Sequence, residues 1–139
     1  EEYLSIPEST SPTGKPNSKY LWAQQQARLL ERDTILTAAP IFMQGVKLGP
    51  NLRIIALEGE TMAAQGHQIE HAFNVGGQVT FALGYSNGEG LYLATTQMLE
   101  EGGYEAVSFW EYGFPSSLAK GTEKVIEQGL EDLKALGIV

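Results

Sequence analysis

The sequence predicts an α/β fold: a mostly parallel sheet with flanking helices, containing a β-hairpin and a βαβ unit. Three observations predict it. Residues 54–57 and 79–83 are strand-sized runs, apolar on both faces, as covered parallel strands are. Between them, residues 61–73 carry Met62, Gly66, Ile69 and Phe73 at i, i+4, i+7 and i+11, one stripe of a helix. Gly49-Pro50-Asn51 separates residues 41–48 from residues 52–57 with the chemistry of a tight turn.

In chain order, residues 1–17 form a Pro/Ser/Thr-rich tail or linker without apolar period. A helix then begins at Asn17 or Ser18, both good caps, and runs to about Glu31. Trp22, Ala23, Ala27, Leu29 and Leu30 share its broad apolar side, and the glutamines fill the polar side. The hairpin of residues 41–48 and 52–57 follows, with the second strand interior and covered on two sides. Helix 61–73 ends at Gly76-Gly77, and strand 79–83 returns parallel to strand 52–57. A glycine-rich loop spans residues 84–90, and a short helix covers residues 96–101. The last helix spans about residues 120–136, with Val125, Ile126, Leu130, Leu133 and Leu136 on one side and Gly137 as its cap.

Composition narrows the partners. The net charge of −8 argues against a nucleic-acid backbone and against electrostatic docking on an anionic membrane. No apolar run approaches the ~20 residues of a transmembrane helix. The chain has no cysteine, which excludes disulfide scaffolds and thiolate zinc sites. It opens on Glu1-Glu2-Tyr3-Leu4, which is no signal peptide.

Two segments carry chemistry. Glu58-Gly59-Glu60-Thr61 lies where the first parallel strand ends, and residues 84–92 lie just past the end of the second. Ligands of open α/β sheets bind beyond the C-terminal strand ends, and both segments sit at that edge. By spacing alone, Glu60 is an acidic residue of a first helical turn. Gly84, Gly88 and Gly90 allow close backbone approach but have neither dinucleotide-binding nor Walker spacing.

The order of short motifs from about Gly49 to Glu105 resembles the C-terminal part of the catalytic domain of neutral/alkaline ceramidases. Ile55-Ala56-Leu57-Glu58-Gly59-Glu60 is similar to the family's strand ending in Pro-Gly-Glu. Gly84-Tyr85-Ser86-Asn87, then Tyr92 and Thr95-Thr96, resembles its G-x-x-N-x-x-x-x-Y-x-x-T-T stretch, and Gly103-Tyr104-Glu105 its Tyr-Glu pair. The resemblance implies that residues 18–139 are the C-terminal portion of a ceramidase-like domain. It also implies a catalytic zinc held by two histidines, a glutamate matching Glu60 and a tyrosine matching Tyr92. Gly59, Tyr85, Asn87 and Thr95 would then belong to the substrate loop. The implied activity is hydrolysis of the amide of an N-acyl sphingoid lipid or related substrate, in a secreted or periplasmic setting.

The chain departs from that pattern. Glu58 stands where the family has proline, and Glu89 where it has an aromatic residue. The family's zinc-binding histidines and serine segment lie upstream of Pro-Gly-Glu, whereas the 57 residues before Glu58 contain no histidine. The remaining ligands and catalytic residues would have to come from the rest of the domain or a companion chain.

His67 and His71 are a weaker alternative metal pair. Their i, i+4 spacing lacks the HExxH glutamate, and they lie opposite the apolar stripe, on the solvated face. Trp22, Phe109, Trp110 and Phe114 read as packing rather than an acyl groove, and Ser108, Ser116 and Ser117 have no nucleophile-elbow context. A non-catalytic module for ligand binding or assembly is the alternative function.

Overall fold

A computed structural model describes residues 2–5 and 17–138. The Pro/Ser/Thr-rich stretch of the expected tail falls outside them, except that Glu2–Ser5 forms one 3-10 turn against the first helix. The elements are α1 (Ser18–Glu31), β1 (Met43–Leu48), β2 (Leu52–Leu57), α2 (Ala63–Phe73), β3 (Val79–Leu83), α3 (Thr96–Glu101), α4 (Tyr104–Val107) and α5 (Thr122–Leu133). A 3-10 turn, Ser108–Trp110, follows α4, and a wider turn, Lys134–Ile138, continues α5 to Gly137 at φ 90°.

The fold is α/β, but the sheet is mixed rather than mostly parallel. Its order is β1-β2-β3. The hairpin pairs β1 and β2 antiparallel from Met43↔Leu57 to Leu48↔Leu52. The βαβ unit pairs β2 and β3 in parallel from Leu52↔Val79 to Ala56↔Leu83. With one hairpin and one crossover, neither direction can dominate three strands.

Local chemistry sets the element ends. Asn17 caps α1 by accepting from the Lys19 and Tyr20 N–H groups. Gly49 (φ 69°) makes the hairpin turn. The central strand was expected to be covered on two sides, but only one of its faces is. Arg53, Ile55 and Leu57 point into a core with Ile69 and Phe73 of α2 and Ile126, Leu130 and Leu133 of α5. On the opposite face, Val46, Ile54 and Phe81 form one row and Leu48, Leu52 and Val79 the next. Among the described residues no element covers them, and Phe81 stays 54% exposed.

The apolar periods also shift. In α2 the buried residues are Gln65, Ile69 and Phe73, while Met62 and Gly66 are only half-buried. Gln65 goes inside because both ends of its amide find backbone partners, and Gly66 has no side chain to bury. In α1, Gln26 is buried and Leu30 exposed. Gln26 donates to the Gly113 carbonyl (3.0 Å) and Trp22 to the Phe114 carbonyl (2.8 Å), so the 109–114 loop draws that face inward. Val125 and Leu136 stay exposed because neither joins the core that α5 shares with the sheet.

Candidate functional site

The end of β2 is wrapped by the loop after β3 through a series of backbone hydrogen bonds. Ser86 N–H donates to the Leu57 carbonyl (3.0 Å), Tyr85 N–H to the Gly59 carbonyl (2.8 Å) and Gly59 N–H to the Gly88 carbonyl (3.1 Å). The series ends in a one-residue parallel bridge between Glu60 and Tyr92. There Glu60 N–H donates to the Leu91 carbonyl (3.1 Å) and Leu93 N–H to the Glu60 carbonyl (2.9 Å). Leu91 and Leu93 are buried, so alternation along the chain turns Tyr92 outward. Paired residues put their side chains on one side of a sheet, so Glu60 and Tyr92 emerge together.

Four phenols gather around Glu60. The Glu60 carboxylate acts on both Tyr85 and Tyr92. Hydrogen bonding to Glu60, then burial and the Glu60 charge, push Tyr85 up to about 12. The same causes raise Tyr92 well above the ordinary tyrosine range. Tyr104 donates to Glu111 (3.0 Å), which raises it too. Tyr112 is raised first by burial, then by Glu60, Glu111 and Glu89. The Tyr92 ring meets Tyr104 edge-on at 5.6 Å and Tyr112 at 6.1 Å between centroids. Tyr112 and Glu111 escaped the sequence reading, although the aromatic run Phe109-Trp110-Glu111-Tyr112 was a visible signal.

The other expected loop residues have structural tasks. Gly59 (φ 80°) lies against the loop so closely that a β-carbon would sit 2.6 Å from the Leu91 carbonyl oxygen. Asn87 (φ 67°) donates to Gln44 of β1 (3.2 Å). Thr95 caps α3 by accepting from Met98 N–H (3.3 Å). Glu58 accepts from Phe42 N–H (3.3 Å) and lies under Gly88. Behind the rim, an apolar cavity of about 140 Å³ lies between the 36–41 segment and Leu91, Leu93 and Phe114, with Glu58 and Gly59 in its wall. Two larger grooves, of about 630 and 550 Å³, run along α5 and the 36–41 segment, the second sharing Leu36, Ile41, Phe114 and Leu118 with this cavity.

His67 and His71 are exposed on α2, and His67 is within 3.7 Å of Glu70. Among the described residues no group of three or more His, Asp or Glu side chains is gathered as a metal would require. The Glu60 carboxylate and the Tyr92 phenol are oxygen donors on one side of the sheet edge. They suit two of the four positions of a tetrahedral zinc, provided Tyr92 gives up its proton. Trp22 packs edge-on against Phe109 at 5.7 Å, and Lys19 lies over Trp110, so these aromatics join α1 to the 108–114 loop.

No family model, no curated protein and no solved structure matches this chain. No helix among the described residues is long and apolar enough to cross a membrane.

Proposed function

We propose that this chain is part of a zinc-dependent amidohydrolase resembling neutral ceramidase, acting on the amide of N-acyl sphingoid lipids or a related substrate. The observation that carries the reading is the Glu60–Tyr92 bridge, which presents a carboxylate and a phenol side by side past the end of β2. On this reading Glu60 and Tyr92 hold the zinc together with histidines from the rest of the domain or from a companion chain. When bound, zinc supplies Lewis-acid polarisation of an amide carbonyl and activation of water. The chain's own residues orient and hold protons. Glu60 raises both Tyr85 and Tyr92, so Tyr92 would lose its proton only on binding the metal while Tyr85 keeps its own, and Gly59 and Gly88 keep the loop backbone against the strand end.

The test is made on the protein joined to the histidine-bearing remainder of the domain. Glu60→Ala and Tyr92→Phe should each lower zinc content and cut amide hydrolysis on the order of 10²-fold or more. Unchanged zinc and unchanged hydrolysis in both variants would remove the proposal.

A second reading, an assembly module without catalysis, draws on the open apolar sheet face. It requires Phe81→Lys to abolish assembly while Glu60→Ala has no effect.

A further inference from the structure

Gln65 stands third in α2 and is 1% exposed. Its side-chain oxygen accepts from Met62 N–H at 2.8 Å, the backward half of a capping box. Its amide nitrogen donates to the Leu93 carbonyl at 2.8 Å. Leu93 is the residue after Tyr92, and its own N–H donates to the Glu60 carbonyl. The Glu60–Tyr92 bridge is a single isolated pair, held by two backbone hydrogen bonds, Glu60 N–H to the Leu91 carbonyl and Leu93 N–H to the Glu60 carbonyl, with no further ladder pair to extend it. Burial of Leu91 and Leu93 decides which side Tyr92 faces. It does not decide how far along the strand Tyr92 stops, because apolar contacts are not directional. A hydrogen bond is directional, and the amide of Gln65 is clamped at both ends.

We propose that Gln65 is the positioning residue for the Glu60–Tyr92 pair, acting through Leu93 to hold Tyr92 in register with Glu60. Its importance for function rests on the zinc-hydrolase reading, but its test uses no zinc. Gln65→Leu removes both bonds. Gln65→Glu keeps the acceptor for Met62 N–H. Ionised, it cannot donate to Leu93, whereas protonated it regains an O–H donor. Burial raises that carboxyl, so mild acid protonates it.

The chain is prepared with 13C-labelled tyrosine rings, and NOEs from Tyr92 to Tyr104 and Tyr112 are followed by NMR from about pH 9 down to about pH 5, a range in which these raised phenols stay protonated. The native protein should show both NOEs at both ends of that range. Gln65→Leu should lose them at both. Gln65→Glu should lose them at the higher pH and recover them at the lower. Ile126→Val, a purely apolar change in the core, should leave them intact. If Gln65→Leu fails to fold, the pH response of Gln65→Glu decides. Tyr92 NOEs that ignore pH in Gln65→Glu would overturn the proposal, as would equal loss in Ile126→Val. Failure of Glu60→Ala to affect hydrolysis removes the zinc reading and leaves this positioning role standing. Intact NOEs in the Gln65 variants do the reverse.

Discussion

The Glu58 carboxylate lies directly beneath Gly88, where a β-carbon would collide with one of its oxygens. Gly88→Ala should therefore displace Glu58 from Phe42 N–H, but a flexible side chain can move. The expected loss is about 1 kcal/mol, at the mild end of overpacking. The double variant Gly88→Ala/Glu58→Ala should show coupling in urea denaturation, since the two sites touch. Additive losses would mean that the contact has no energetic weight.

Gly59→Ala should be worse. Its β-carbon would meet the Leu91 carbonyl oxygen, part of the backbone, at a φ of 80° that side chains disfavour. A loss above about 2 kcal/mol is expected, combining backbone strain with steric displacement. Thermal unfolding that ranked Gly59→Ala milder than Gly88→Ala would contradict this geometry.

The Glu60 carboxylate raises both Tyr85 and Tyr92, so both resist ionisation. A phenol raised above its unfolded value contributes stability that is complete below about pH 10 and is lost as pH rises. For Tyr85 that window closes near 12. Spectrophotometric titration should find two phenols still protonated at about pH 11 that ionise earlier in Glu60→Gln. Tyr85 is 59% exposed, so added salt should shrink its shift. Superimposable titrations of native protein and Glu60→Gln would exclude the shared carboxylate.

Thr96 joins α3 to α5. It accepts from Gly121 N–H (2.9 Å), and its hydroxyl holds Glu123 below its ordinary value, with further help from backbone N–H groups. A depressed carboxylate stabilises the fold above its unfolded value of about 4.5, and the contribution fades as pH falls through the folded value. Thr96→Val should cost about 1 kcal/mol near neutrality and reduce the acid sensitivity that Glu123 confers, read from melting temperature against pH.

The sheet has one dry face and one open face. Ile55→Ala should cost about 2–5 kcal/mol, because Ile55 is fully buried against both helices. Phe81→Thr, on the other face, should change stability by no more than about 0.5 kcal/mol while lowering self-association in light scattering. Equal losses at the two positions would show that the outer face is covered.

Asn17 at the start of α1, the Gly49 turn, strand 79–83 and helix 96–101 were all legible, because caps, turns and short apolar runs act within a few residues. The expected mostly parallel sheet was not borne out, since three strands joined by one hairpin and one crossover make one antiparallel and one parallel pairing. Nor was the open face legible. A strand apolar on both sides reads the same whether one helix layer covers it or two.

Alone, the sequence determined the succession of the strands and the other helices, though not α4 and the 3-10 turn after it, and brought residues 58–60 and 84–92 to one rim, since turn chemistry and apolar period are short-range. Tertiary structure alone decided that Gln26 and Gln65 go inside, that Phe81 stays outside and that Tyr85, Tyr92 and Tyr112 surround Glu60. The physical reason is distance along the chain. The Gln26 amide nitrogen meets a carbonyl 87 residues away and that of Gln65 one 28 residues away, partners that no local pattern announces.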